Sequence, residues 1–200
     1  MASCVETAMM HETPSLLIFC TNDNHVMEQS KDKIQTGDRL SLNSTHPITL
    51  ILDNLRSAYN VGNIFRLAEV CRVESIITCG YTASPPHPKL RKTARGCDEC
   101  VSFTRLESSF DAAKKIKQNG YQVIAVDTFE NGENIWDVEF KFPVGFVFGN
   151  EANGISKNTL EYCDIYAKIP VFGYKNSMNV SNCAAVVVYT AIQNLLKNKA

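Results

Sequence analysis

From Pro47 onward the chain alternates short apolar runs with amphipathic stretches, and this alternation limits its fold more than any other feature. The runs at 49–52, 75–80, 101–103, 122–126, 144–148 and 165–169 are too short for helices and rich in Val and Ile. Such segments suit strands of a parallel sheet buried on both faces, with helices as the crossovers. A helix is expected over about 61–71, where Val61, Ile64, Leu67, Ala68 and Cys71 share one face. A second starts at a Ser108 cap, carries Phe110, Ala113, Ile116 and Lys117 at helical spacing, and stops at Asn119-Gly120. A third covers about 180–196. The expected class is α/β, a mostly parallel sheet with helices on both faces.

Residues 1–46 are polar and weakly periodic, with only 15–20 suited to a short strand or helix start. They are read as an N-terminal extension ahead of a domain over 47–200. The segment 81–96 is basic and proline-rich and reads as a long loop. The corner after the first strand is Arg56-Ser57-Ala58-Tyr59-Asn60, without the G-x-G-x-x-G of dinucleotide binding.

The formal net charge of −1 gives no global attraction for an anionic partner, so any nucleic acid must meet a local basic patch. No apolar run approaches the roughly 18 residues of a membrane span, and 16–20 is too short, and preceded by too acidic a segment, for a secretory signal. A cytoplasmic protein with reduced cysteines is expected. Among eight cysteines the only C-x-x-C is Cys97-Asp98-Glu99-Cys100. It has no second pair at zinc spacing, even with His87 counted as a third ligand, so no metal is expected. Most of the cysteines read as small buried hydrophobes.

Three polar corners interrupt this apolar pattern. In the first, Gly62 permits close approach to the opening turn of a helix, and Arg66 lies opposite its apolar face. Arg66 reads either as a solvated arginine or as a functional one. In the second, Gly149-Asn150-Glu151-Ala152-Asn153-Gly154 is a tight loop with inward N–H groups, and Glu151 either caps the next helix or serves a site. It lacks the Gly-Lys-Ser/Thr of a triphosphate-binding loop. In the third, Ile169-Pro170 ends a strand, and Ser177-Met178-Asn179-Val180-Ser181 opens the last helix. Strand ends followed by helix N-termini are where open α/β sheets hold ligands.

As a set, Asn60-Val61-Gly62-Asn63-Ile64-Phe65-Arg66, Phe148-Gly149-Asn150-Glu151-Ala152-Asn153-Gly154-Ile155, and Ile169-Pro170 with Ser177-Met178-Asn179-Val180-Ser181 resemble the three motifs of the SpoU (TrmH-type) RNA ribose methyltransferases of the SPOUT superfamily. The resemblance covers about 48–195 and extends to the basic loop from Pro85 to Gly96. It implies an S-adenosylmethionine-dependent 2′-O-methyltransferase acting on tRNA or rRNA. It also implies a C-terminal deep trefoil knot and a homodimer in which one subunit's Arg66 approaches its partner's cofactor pocket.

By that resemblance Val126, Gly149, Ile169 and Met178 hold the cofactor, largely through backbone. Arg66 would activate the ribose hydroxyl, with Asn60, Glu151, Ser177 and Asn179 holding Arg66, the cofactor loop and the ribose in place. Asp127 would either bond a cofactor hydroxyl or cap a loop. Lys89, Arg91, Lys92 and Arg95 would follow the RNA backbone, where a solvated charged loop is the plainer alternative. Two further readings are a non-catalytic RNA-binding protein of the same fold and a knotted base methyltransferase.

Overall fold

The structure, a computed structural model, describes residues 44–198. The elements are β1 (His46–Asp53), α1 (Ala58–Val70), β2 (Val73–Cys79), α2 (Pro88–Ala94), α3 (Cys97–Cys100), β3 (Phe103–Leu106), α4 (Ser109–Gln118), β4 (Gln122–Val126), β5 (Glu133–Asn134), β6 (Val144–Phe148), α5 (Lys157–Leu160), β7 (Ile165–Lys168) and α6 (Val180–Lys197). The expected extension over 1–46 lies outside the described residues except for its last three positions.

All seven strands are parallel, in the order β3-β2-β1-β6-β4-β7-β5. From β1 the chain moves outward to β2, whereas from β6 it moves the other way, past β4 to β7. The direction of winding therefore reverses between β1 and β6, and ligands of open parallel sheets sit at the C-terminal strand ends near such a reversal.

Strand alternation divides the core between the two faces. Ile48, Leu50 and Leu52 of β1, Ile124 and Val126 of β4, and Phe146 and Phe148 of β6 pack with residues of α1, α2 and α6. Ile51, Val123, Ala125 and Val147 face the other way, against Ala112, Ala113 and Ile116 of α4. Gly145 permits that second layer, since a Cβ there would lie 2.1 Å from Ile116 Cδ1. The expected α/β architecture is thus present.

Local departures have local causes. Helix α1 starts at Ala58 rather than near Val61, because Ser57 accepts a hydrogen bond from the Asn60 N–H as its N-cap. It buries Phe65, which the apolar-face reading omitted, while Cys71 is its C-cap. The supposed loop over 81–96 contains helix α2, with His87 as N-cap, Pro88 in the first turn, and Leu90 and Ala94 buried. Proline there begins a helix instead of breaking one. Strand β3 runs over Phe103–Leu106 rather than 101–103; as an edge strand with little burial, it lacks an apolar signature. Strand β5, two residues long, pairs only with β7 and had no signal in the sequence.

Candidate functional site

The loops after β4, β6 and β7 and the start of α6 enclose a cavity of about 780 Å³. Val126 is in register with Phe148 on one side and Ala167 on the other, so three neighbouring strands end level. Val126, Gly149, Ile169 and Met178 all line the cavity, together with Glu151, Ser177 and Asn179. Seven sequence-derived candidates from separate corners therefore surround one space.

Glu151 is tied to a distant corner. Its Oε2 accepts from the Arg56 N–H at 2.8 Å, and its Oε1 from the Ser57 N–H at 3.2 Å and Asn60 Nδ2 at 3.0 Å. These are donors at the start of α1, so Glu151 serves that helix and not the following one, as the capping alternative had it. Burial alone would raise its pKa, but the N–H donors of Arg56, Asn60 and Ser57, with a backbone contribution of its own, hold the carboxyl below its ordinary value.

Asn60 continues the chain of bonds, its Oδ1 accepting from Asn179 Nδ2 at 3.2 Å. Asn179 Oδ1 in turn accepts from the Ser181 N–H at 2.9 Å and from Ser181 Oγ at 2.7 Å, which makes Asn179 the N-cap of α6. The beginnings of α1 and α6 and the loop after β6 are thereby fixed to one another by side chains. Ser177 has no hydrogen-bond partner among the described residues, although it lines the cavity.

Several N–H groups of the loop 149–156 are bonded within the protein. Asn150, buried, accepts from the Ala152 and Asn153 N–H groups, both at 2.9 Å. Its Nδ2 donates to the Asn54 carbonyl at 2.7 Å and to the Tyr81 hydroxyl at 2.6 Å. Asp127 accepts from the Thr128 N–H at 2.7 Å and the Ile155 N–H at 3.2 Å, and Asp53 from the Ser156 N–H at 2.9 Å. A Cβ at Gly149 would lie 2.4 Å from the Gly154 carbonyl carbon, so only glycine permits this tight return. The roles of Asn150 and Asp53 were missed in the sequence because each reaches a backbone group about a hundred positions away, Asn54 and Ser156 respectively. Cys183 also lines the cavity, but burial, then Asp127, push its thiol up to about 12, leaving it a neutral wall residue.

Arg66 stands apart. It is half-buried on α1, outside the cavity lining, and has no hydrogen-bond or ion-pair partner among the described residues. Asn60, Glu151, Ser177 and Asn179 therefore do not hold it within this subunit. One turn earlier, Gly62 meets α2: a Cβ would lie 2.0 Å from Thr93 Oγ1 and 2.4 Å from the Leu90 carbonyl oxygen. That crossing sets the basic helix against the helix that carries Arg66. Lys89, Arg91, Lys92 and Arg95 are all exposed on or just after α2, opposite its buried Leu90 and Ala94. Arg91 is engaged in an ion pair with Glu99, whereas Lys89, Lys92 and Arg95 have no partner among the described residues.

Cys97 and Cys100 lie on α3, and the described residues hold no group of three or more His, Cys, Asp or Glu side chains suited to a metal ion. No helix of the described residues is long and apolar enough to cross a membrane.

The chain is similar to known proteins. The 23S rRNA (guanosine-2'-O-)-methyltransferase RlmB of Neisseria meningitidis serogroup B is 30% identical over 175 residues, covering 86% of this chain and 69% of the relative. A Staphylococcus saprophyticus protein named for the TrmH family of tRNA/rRNA methyltransferases is 29% identical over 153 residues, covering 76% of this chain. The chain spans 61% of that relative's length. The crystal structure of the SpoU methyltransferase AviRb from Streptomyces viridochromogenes, in complex with the cofactor AdoMet, superposes with a TM-score of 0.69 at 23% identity. That match covers 81% of this chain and 66% of the other, and shows a common fold. The model of the SpoU rRNA Methylase family matches residues 47–189, and the chain belongs to that family.

Proposed function

We propose that the chain is an S-adenosylmethionine-dependent RNA 2′-O-ribose methyltransferase, acting on tRNA or rRNA as a homodimer in the cytoplasm. One observation carries the reading: Asn60, Glu151 and Asn179, separated by 91 and 119 positions, are joined by hydrogen bonds beside the cavity. A fold without a ligand has no need for such a linkage at its strand ends. The deep trefoil knot implied by the sequence resemblance belongs to the same reading.

The cavity suits the cofactor. Its size lies within the range of small-molecule sites, about 300–1,000 Å³. Val126, Ile155, Leu160, Ile169 and Met178 supply apolar walls for a purine, and Thr128, Asn176 and Ser177 supply polar groups for a ribose and an amino acid. When bound, the cofactor supplies an electrophilic methyl group and a neutral thioether leaving group.

Alignment of hydroxyl and methyl is then a large part of the task. Glu151 fixes the start of α1, and Asn179 fixes the start of α6, so that the two helix starts hold one spacing. Arg66 is a poor base because its guanidinium stays protonated at accessible pH. Its role is to stabilise the alkoxide that develops as the hydroxyl proton passes to solvent water, or to grip the adjacent phosphate.

Two features support the homodimer. Arg66 lies outside the cavity of its own subunit, so a site that uses it requires a second copy. Helix α6 also carries an exposed Tyr189 and Leu196 and a half-buried Val186, apolar groups on the side away from the core that are unusual for a solvated helix.

Titration calorimetry with S-adenosylmethionine tests the cofactor assignment. The wild-type chain should bind, and Ile169→Arg, which places a charge in the cavity wall, should not. No binding to the wild type would refute the proposal.

A further inference from the structure

We propose that Phe172, Tyr174 and Lys175 form a stacking platform for unpaired bases of the RNA next to the methylated ribose. The inference rests on the methyltransferase reading above and adds a substrate-gripping surface to it.

The segment between β7 and α6 has two sides. Val171, Asn176, Ser177 and Met178 line the cavity. Between them, Phe172 is 89% exposed and Tyr174 is fully exposed. Among the described residues neither ring stacks on another, and the Tyr174 hydroxyl has no hydrogen-bond partner. Nothing lies within 4 Å of the Cβ position at Gly173, so the strip stands clear of the core.

Two large rings held in water contribute nothing to the stability of this subunit, and adjacent exposed apolar groups mark a binding surface. The charge of the segment selects the occupant. From Ile169 to Ser181 there is one lysine and no carboxylate, so an anionic partner is favoured. An RNA strand meets both requirements: unstacked bases lie on flat aromatic faces, and the lysine meets the backbone phosphate. The ribose to be methylated must enter the cavity, and its neighbouring bases then pass the strip on the cavity's outer rim. Such a platform tolerates different bases, because every base has a flat face.

The test uses the full chain, a fluorescein-labelled unpaired 12-nucleotide oligouridylate and total tRNA. Phe172→Ala and Tyr174→Ala should each weaken oligonucleotide binding by about 5- to 50-fold in anisotropy. Phe172→Trp should restore it, and its added indole fluorescence should be quenched by the oligonucleotide. Calorimetric affinity for S-adenosylmethionine and the sedimentation behaviour should match wild type in every ring variant. Lys175→Ala should lower the slope of log affinity against log salt by about 0.7, whereas the ring variants should leave the slope unchanged.

Unchanged RNA affinity in the double alanine variant would overturn the platform while leaving the methyltransferase reading intact. Parallel loss of cofactor affinity would assign the rings to the cavity, and an altered oligomeric state would assign them to an interface between copies; either result overturns it. A wild-type chain that neither binds S-adenosylmethionine nor transfers methyl would remove the underlying reading and the platform with it.

Discussion

Asn60 Nδ2 donates to Glu151 Oε1 at 3.0 Å, across 91 positions of sequence, and links the loop after β6 to the first turn of α1. Because Glu151 also accepts from the N–H groups of Arg56 and Ser57, one carboxylate organises the start of the helix that carries Arg66.

Replacement Glu151→Gln keeps the shape but sets an NH2 group against backbone donors. Since the folded carboxyl titrates below its ordinary 4.5, its contribution is present above that value and is lost as pH falls through the lower, folded value. The variant should therefore be less stable than wild type near neutrality, and the difference should shrink as pH drops below 4.5. Urea unfolding at several pH values measures it; a stability difference that grows toward acid would contradict the assignment.

On the basic helix, the free cations matter more than the paired one. Lys92→Glu and Arg95→Glu should each weaken RNA binding and lower its salt slope by about 0.7–0.9 or more, with cofactor affinity unchanged. Arg91→Gln, which removes a charge already paired with Glu99, should have the smaller effect. Binding isotherms at several salt concentrations decide the order.

The crossing of α1 and α2 depends on Gly62. A Cβ there collides with Thr93 Oγ1 and with the rigid Leu90 backbone, so Gly62→Ala should cost about 1–3 kcal/mol in unfolding free energy. Thermal denaturation reads the loss, and an unchanged midpoint would mean that the helices separate without cost.

A site shared between subunits predicts complementation. Arg66→Lys and the cavity-filling Met178→Trp should each be inactive alone. Mixed dimers of the two keep one intact site per heterodimer, so an equal mixture should recover about a quarter of wild-type turnover. No recovery from purified heterodimers would place Arg66 and the cavity in one subunit's site.

The parallel sheet was legible because β1, β4 and β6 are apolar on both faces, and short unalternating runs have few other solutions. Helix α2 was not, since its Pro-Pro-His-Pro entry reads as loop chemistry until the His87 cap and the buried Leu90 and Ala94 are seen. For the site, the cavity-lining residues follow strand ends that the apolar runs mark. The direction of Glu151 was hidden, because its partners at Arg56 and Ser57 are backbone groups that no side-chain pattern reveals. The separation of Arg66 from the polar cluster was hidden for a related reason: facing on one helix says nothing about where that helix lies against the cavity.

The central claim is methyl transfer to a ribose hydroxyl with Arg66 in the chemical step. The most direct measurement is transfer of labelled methyl from S-adenosylmethionine to total tRNA and rRNA, with digestion to nucleosides, for wild type and Arg66→Lys. Label in a 2′-O-methylnucleoside with wild type, and nearly none with Arg66→Lys despite retained cofactor binding, is the predicted result. Label on a base, no label in either RNA, or undiminished transfer by Arg66→Lys would contradict it.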